Sequence, residues 1–278
     1  MSKKTKTLKI IAGITAVVII AGLGWFANAF VGNPISKMLA TNTAEKYLSE
    51  TFSDTDYYIE QISYSFKDSN YHAFIKSPSS MDTAFSLWIT MGGKLRYDSY
   101  EDVLSGFNTA QRLEQEYRNL TDTVFSSPSF PFKLEIDYGS LEIYPGDLLN
   151  NPNVNDIPPY ALNQDDLVLD KRYDIRELGR QAGHLVIYID NDAVTPEDAA
   201  KIMLDIKSRF DEAGVPFAAM DFVLQYPRPE EGIRSEEDIR VENFLYEDIY
   251  EAGMTDRVIA ADKALKEYYA EQDAKYLK

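Results

Sequence analysis

The stretch HLVIYI, residues 184–189, is the strongest strand signal in this 278-residue sequence. Its apolar residues are nearly continuous, which is typical of a strand buried on both faces. After the turn Asp190-Asn191-Asp192, TPED at 195–198 predicts a helix start, because it combines a hydroxyl cap, an early proline and two acids in the first turn. Residues 217–226 then return as a strand. Strand, helix and strand in this order predict a βαβ unit.

The rest of the distal half, residues 128–278, is predicted to add further strands and helices to this unit. Residues 132–137 and 141–144 have strand composition, and Tyr138-Gly139-Ser140 between them predicts a hairpin turn. The excursion at 145–163 is dense in Pro, Asn and Asp and predicts an irregular loop. An amphipathic pattern beginning at Met254 indicates a final helix. This half is therefore predicted to be an α/β-type domain.

The first half, residues 33–127, shows a different order of elements. Helical spacing over 35–52 is followed by three or four strand-like segments separated by turns, and a second helix pattern ends near Val124. A helix followed by an antiparallel sheet and another helix indicates an α+β domain, and the whole chain is predicted to be α+β.

An aromatic stripe marks the first predicted strand, Tyr57 to Phe66. Strand alternation places five of its residues on one face: Tyr58, Glu60, Ile62, Tyr64 and Phe66. Such a stripe could line a groove for a peptide or small ligand, or it could be ordinary core. The core interpretation is the simpler one.

Residues 10–31, IIAGITAVVIIAGLGWFANAFV, carry no formal charge. As a helix its 21 residues from Ile10 to Phe30 would be about 31 Å long, close to the thickness of the hydrocarbon layer of a bilayer. It follows a basic segment, residues 1–9, and no acid precedes Glu45. The pattern predicts a transmembrane helix over 10–31 with a cytoplasmic basic tail. Residues 33–278 would then be extracytoplasmic, in a single-pass protein of the cell membrane.

A cleaved signal peptide is the alternative interpretation of the same stretch. Ala27-Asn28-Ala29 fits the small-x-small pattern of a cleavage site after Ala29. The apolar run is longer than a signal peptide requires, which favours an uncleaved anchor.

Charge and composition exclude several classes of protein. The chain has 45 acidic and 28 basic residues and a formal net charge of −17. A surface this acidic repels phosphates, so no nucleic-acid partner is expected. Divalent cations or basic molecules remain possible partners, although solubility is the simpler explanation of the acidic composition. The absence of cysteine excludes disulfides, thiol catalysis, a lipidated cysteine and cysteine-ligated zinc.

The two histidines, His72 and His184, are the first residues to weigh as catalytic or metal-binding candidates. Neither has a second histidine at metal-ligand spacing, and no serine lies in a nucleophile-elbow pattern. Both are therefore interpreted as structural. The glycines form no phosphate-binding loop, which argues against an ATP-driven or dinucleotide-binding role.

Clusters of acidic residues are the second set of candidates. The turn Asp190-Asn191-Asp192, with Glu197 and Asp198 nearby, lacks the order of a calcium loop. Three other clusters are most simply interpreted as solvated charges in loops: Asp165-Asp166, Glu230-Glu231 and Glu236-Glu237-Asp238. No catalytic, cofactor-binding or metal-binding residue is predicted.

Several short motifs run through both halves: Asn33-Pro34-x-Ser36, Ala44-x-x-Tyr47-Leu48, Tyr64-x-Phe66-Lys67, Ser77-Pro78-x-Ser80-x-Asp82-Thr83-x-Phe85, Gly106-Phe107-Asn108-Thr109 and Gly183-His184-Leu185. Together they resemble the YfjL-like family, membrane-anchored proteins of Gram-positive bacteria with no established function. The resemblance covers nearly the whole chain. It implies an N-terminal and a C-terminal domain in one exported chain, and it implies no catalytic residue. The first half is also similar to small cystatin-like or PepSY-like modules that act by binding.

The function expected from these observations is binding or sensing at the outer face of the membrane. The expected partners are the membrane itself, through residues 10–31, and a protein of the membrane or cell envelope. No enzyme activity and no cofactor are expected. The alternative is an extracytoplasmic hydrolase that uses carboxylates or a divalent metal.

Overall fold

The computed structural model describes residues 3–154, 157–229, 232–235 and 237–276. The chain divides into two compact units, Met1–Asn108 and Thr109–Lys278, called here the first and the second unit. Each contains helices and a four-stranded sheet. The predicted α+β fold is therefore confirmed.

The first helix, α1, runs over Lys3–Val31, and α2 follows at Pro34–Thr51. A bilayer crossing needs about 20 consecutive apolar residues. Within α1, the continuous run of side chains that the structure describes covers residues 11–24, and the side chains of Ala27-Asn28-Ala29 lie outside the described set. In the described part of the chain, no helix has both the length and the apolar character that a membrane span requires. The transmembrane helix predicted over 10–31 is thus contradicted.

In the first unit, α2 packs against one face of an antiparallel sheet. The strands, in sheet order, are β1 (Tyr58–Ser65), β2 (Asn70–Lys76), β3 (Ala84–Thr90) and β4 (Leu95–Asp98), and a short helix α3 (Glu101–Leu104) follows. The side chain of Asn33 caps α2 by accepting a hydrogen bond from the amide of Ser36 at 2.8 Å. The fully buried Ala40 and Ala44 place α2 against the sheet. The predicted helix and meander are confirmed.

A β-bulge changes which side chains of β1 share a face. The pairing of β1 with β2 shifts between Ile59 and Gln61, and an extra residue at such a point reverses the alternation. As a result Ile59 contacts the core together with Ile62 and Tyr64. Tyr58 is 44% exposed. The single-face prediction for the stripe is therefore wrong, although the core interpretation holds for these three residues.

From α4 onward the elements are, in chain order, α4 (Phe107–Phe125), β5 (Lys133–Leu141), β6 (Ile143–Tyr144), α5 (Gly146–Leu149), β7 (Leu162–Asn163), α6 (Ile175–Ala182), β8 (Gly183–Asp190), α7 (Pro196–Glu212), β9 (Ala219–Gln225), β10 (Asp238–Leu245) and α8 (Met254–Tyr276). The sheet of the second unit has the order β10-β9-β8-β5. β8 and β9 are parallel and joined through α7, which confirms the predicted βαβ unit. β5 and β10 pair antiparallel at the two edges.

The predicted hairpin at Tyr138-Gly139-Ser140 is wrong. These residues lie inside the continuous strand β5, which pairs with β8 along its length, and β6 pairs instead with β7 in parallel. Gly139 is a glycine because of packing and not because of a turn. A Cβ at this position would lie 2.5 Å from the Cγ2 atom of Thr121 in α4.

The main core of the second unit lies on one face of its sheet. Leu185, Ile187 and Ile189 of β8 are fully or almost fully buried and pack in one cluster with residues of α7 and α8. Strand alternation therefore places His184 on the opposite face of the sheet. Asp221 lies on that face as well, because its neighbours Met220 and Phe222 belong to the main core.

The predicted domains, 33–127 and 128–278, divide the chain after α4. The two compact units divide it near the start of that helix. Within the second unit, Leu113 and Tyr117 of α4 are fully buried in a smaller cluster, and Val124 and Phe125 join the main core. Most of α4 is thus an integral part of the second unit.

Candidate functional site

The candidate site lies in the second unit, where β8 and β9 begin and β10 ends. A cavity of about 690 Å³ opens there. It is called the Phe217 cavity here, and its lining residues are Pro159, Tyr160, Arg180, Gln181, Phe210, Asp211, Gly214, Val215, Pro216, Phe217, Ala218, Leu245, Tyr246 and Glu247. A volume of this size is within the range of small-molecule sites.

The back wall of the Phe217 cavity is built by the end of α7 and the chain that leads into β9. Gly214 adopts a left-handed conformation with φ of +65° and turns the chain after the helix. The next residue, Val215, then donates its amide to the carbonyl of Phe210 at 2.9 Å. The ring of Phe217 packs edge-on against Phe210 at 5.6 Å and against Tyr246 at 5.1 Å between centroids. The three rings therefore form one continuous aromatic wall.

Polar groups with fixed partners form part of the rim. The hydroxyl of Tyr246 donates to the carboxylate of Asp211 at 2.9 Å. Burial, followed by this hydrogen bond and the charge of Asp211, raises the pKa of Tyr246. The ammonium of Lys207 lies 3.8 Å from the centre of the Tyr246 ring and donates to the carbonyl of the same residue at 3.0 Å. The cavity therefore combines apolar walls with a few oriented polar groups, as ligand sites commonly do.

Tyr160 connects the Phe217 cavity to a polar cluster around the buried His184. It lines the cavity, and its hydroxyl lies 2.9 Å from Nδ1 of His184. The same hydroxyl donates to Oδ1 of Asn243 at 2.9 Å. Asn243 has a left-handed φ of 49° at a bulge in β10, where the pairing with β9 shifts. The bulge thus brings a polar side chain of an edge strand to Tyr160.

His184 is the centre of this cluster, and its side chain is only 6% exposed. Oε1 of Glu142 lies 3.2 Å from Nδ1, and Oδ1 of Asp221 lies 2.9 Å from Nε2. Among the described residues Nε2 makes no hydrogen bond of good geometry, so its contact with Asp221 is an ion pair. The two carboxylates themselves are held in place. Glu142 accepts from the hydroxyl of Tyr144 at 2.7 Å, and Asp221 accepts from the amide of Asn243 at 2.7 Å.

The electrostatics of the cluster favour a protonated histidine. Burial lowers the pKa of His184, but the contact with Asp221 and the charges of Asp221, Glu142 and Glu242 outweigh burial, so that its pKa is raised. Burial, with the nearby carboxylates, also raises the pKa of Tyr160 and of Tyr144 far above the ordinary tyrosine range. The two tyrosines are therefore neutral hydrogen-bond donors at physiological pH and not activated nucleophiles.

The arrangement of the acids does not suit a metal ion. Glu142 and Asp221 contact opposite nitrogens of one imidazole, so they face each other across the ring. In the described ranges, no three histidine, cysteine, aspartate or glutamate side chains are grouped to hold a metal ion.

The other histidine, His72, lies in the first unit on β2. Its Nε2 contacts Asp68 at 2.8 Å, and its ring lies 5.1 Å from that of Trp88.

Where the structure describes the acidic clusters singled out in the sequence, they have structural partners or lie apart from the site. Asp190 is bound by Lys133 at 2.8 Å and by Arg234 at 3.3 Å. Thr195 caps α7 by accepting from the amide of Asp198. Asp165 and Asp166 lie in a short 3₁₀ turn after β7. Glu230, Glu231 and Glu236 lie outside the described residues.

Four residues around His184 were not singled out by the sequence: Glu142, Tyr160, Asp221 and Asn243. They come from four separate segments, and only folding brings them to one imidazole. The sequence offers one partial signal, the polar His184 at the start of an otherwise apolar strand. It carries no signal for the bulge that aims Asn243.

Two family models match the chain. The YfjL-like, N-terminal domain matches residues 7–99, and the YfjL-like C-terminal domain matches residues 116–258. The second match contains the whole Phe217 cavity and the His184 cluster. No curated protein and no solved structure matches the chain. The resemblance to this family is thereby confirmed, whereas neither a Gram-positive source nor membrane anchoring follows from the matches.

Proposed function

The chain belongs to the YfjL-like family, and on that premise we propose that it is a binding protein whose second unit holds a small molecule in the Phe217 cavity. The observation that carries the proposal is the cavity itself, which combines about 690 Å³ of space with a continuous aromatic wall. Apolar walls supply affinity, and oriented polar groups such as Tyr160 and Asp211 supply selectivity.

A binding role also agrees with the chemistry of the side chains. The tyrosines near the cavity have raised pKa values and act as neutral donors. The carboxylates closest to Tyr160 contact His184. The alternative, a carboxylate-dependent hydrolase, has less support because these acids are engaged by the imidazole. A location outside the cytoplasm and a protein partner in the cell envelope stay predictions.

Saturable binding of an apolar fluorescent probe tests the proposal. We expect anilinonaphthalene sulfonate to bind the folded chain with increased fluorescence, because the cavity offers it an apolar site shielded from water. Ala218→Leu fills part of the cavity and keeps the backbone bonds of residue 218 to Gly183 and Tyr246. It should weaken binding and raise the probe's dissociation constant at least about tenfold.

Ala213→Leu is the matched control, since Ala213 is exposed and does not line the cavity. This variant should bind the probe as the unmodified chain does. Equal binding by the two leucine variants, or no saturable binding by the folded chain, would count against the Phe217 cavity as the site.

A further inference from the structure

We infer that His184 is a buried imidazolium whose hydrogen bond to the Tyr160 hydroxyl holds Tyr160 against the sheet. This contact is called the latch here. Loss of one proton from His184 releases Tyr160 and the part of the Phe217 cavity wall that it forms. Any effect of this release on a bound ligand rests on the proposed function, in which the Phe217 cavity binds a small molecule. The latch itself follows from the hydrogen bonds and charges around the ring.

Counting donors and acceptors gives the protonation state of the ring. The single proton of the Tyr160 hydroxyl is directed to Oδ1 of Asn243, so the hydroxyl oxygen accepts from Nδ1 of His184. Oε1 of Glu142, 3.2 Å from the same nitrogen, is also an acceptor. On the other side, Nε2 faces the carboxylate of Asp221 at 2.9 Å. Both nitrogens therefore face acceptors, and only the imidazolium carries a proton on each.

The charges around the ring lead to the same state. Three carboxylates act on His184: Glu142 after β5, Asp221 of β9 and Glu242 of β10. Three tyrosines also lie near these carboxylates and stay neutral because their pKa values are raised: Tyr138, Tyr144 and Tyr160. A neutral imidazole would leave the partly buried Glu142 and Asp221 without the nearby positive charge and would turn a lone pair toward one of them.

The structure also shows what the imidazolium holds. Two hydrogen bonds of the Tyr160 hydroxyl, one accepted from His184 and one donated to Asn243, tie this residue to the sheet. Next to it the chain makes a turn closed by the amide of Ala161 and the carbonyl of Pro158. Pro159 and Tyr160 are the cavity-lining residues that this turn supplies. Loss of the His184 contact therefore loosens one defined part of the cavity wall.

The direction of the pH effect follows from the sign of the shift. The pKa of His184 is raised in the folded chain. The latch is thus complete below the ordinary histidine pKa of about 6.5 and is lost as the pH rises through the raised value. Above that pH the imidazole keeps one proton, on Nε2 beside the carboxylate of Asp221 at 2.9 Å, and Nδ1 no longer donates to Tyr160. The single proton of the Tyr160 hydroxyl can then bond either Nδ1 or Asn243, but not both.

Nuclear magnetic resonance of the full chain tests the inference directly. The imidazole nitrogens of His184 should both carry protons near about pH 6 and should show a neutral tautomer well above it. Over the same titration, the amide protection factors of Tyr160 and Ala161, corrected for the intrinsic pH dependence of exchange, should fall at least about tenfold.

Two variants separate the latch from a merely structural histidine. His184→Gln cannot be protonated, so the protection of Tyr160 and Ala161 should no longer change with pH. Tyr160→Phe removes the hydroxyl but keeps the charge, so protection of these amides should be low while His184 still titrates. His72→Gln is the matched control and should leave the pH response unchanged.

A neutral His184 tautomer at about pH 6 would overturn the inference. So would protection factors of Tyr160 and Ala161 that do not change while His184 titrates. These readouts need no ligand. Absence of probe binding at every pH would therefore count against the proposed function and not against the latch.

Discussion

Gly139 shows how a single residue records a tertiary contact. It lies within β5, and its backbone is in ordinary strand pairing with β8. The Cγ2 and Oγ1 atoms of Thr121 in α4 would lie 2.5 and 2.7 Å from a Cβ at this position. Thr121 is fully buried, so it has little room to move. Only glycine allows the helix to approach the strand this closely.

The variant Gly139→Ala should therefore destabilise the second unit. We expect a loss of about 1–3 kcal/mol in the free energy of unfolding, because the added methyl group overlaps a buried side chain. Native-state hydrogen exchange of the buried β8 amides measures this change.

A second substitution shows whether Thr121 is the cause. Thr121→Ala removes both overlapping atoms, so the double variant should lose less stability than the sum of the two single variants. Gly92→Ala is the control, since its Cβ would meet no atom closer than 3.9 Å. If the two substitutions are simply additive, the packing explanation fails.

At the scale of the element, α7 is the clearest case of a helix specified by its own residues. Thr195 has an extended backbone, and its hydroxyl oxygen accepts from the amide of Asp198 at 3.1 Å. The same hydroxyl donates to the carboxylate of Asp198 at 2.7 Å. Pro196, Glu197 and Asp198 complete a first turn that suits the positive end of a helix.

Thr195→Ala should weaken this helix start by about 1 kcal/mol, because the amide of Asp198 loses its acceptor. Thr195→Ser keeps the hydroxyl and should retain most of the stability. Hydrogen exchange of the first amides of α7 distinguishes the two variants. Equal exchange in both would mean that the cap contributes little.

The elements that were mispredicted share a physical cause. The bulge in β1 and the uninterrupted course of β5 through Tyr138-Gly139-Ser140 depend on the partner strands β2 and β8. Alternation and turn composition are local patterns, and they carry no information on the pairing of distant strands. The start of α7 and the strand β8 were predicted correctly because both are specified by neighbouring residues.

At the scale of the whole molecule, the dominant property is charge. The chain carries a formal net charge of −17. Repulsion among these carboxylates opposes the compact state, although ion pairs such as Arg234 with Glu135 and Asp190 relieve it locally.

Added salt should therefore stabilise the chain. Raising sodium chloride from about 10 mM to about 200 mM shortens the screening length from about 30 Å to below 10 Å. We expect the melting temperature at neutral pH to rise, corresponding to a gain on the order of 1 kcal/mol. Potassium chloride should act equally, which separates screening from binding of a particular cation. An unchanged or lower melting temperature would contradict the expectation.

The sequence by itself determined the α+β class, the βαβ unit, the start of α7 and the family, because these depend on composition, periodicity and short motifs. Only the tertiary structure decided the course of β5 and which side chains of β1 face the core. It also showed that none of the described helices is long and apolar enough to span a membrane. It also decided the candidate site. Glu142, Tyr160, Asp221 and Asn243 are distant in sequence, and strand pairing together with one bulge brings them to His184. The protonation state of a buried side chain depends on its burial and on all the charges and hydrogen bonds around it. These surroundings exist only in the folded chain.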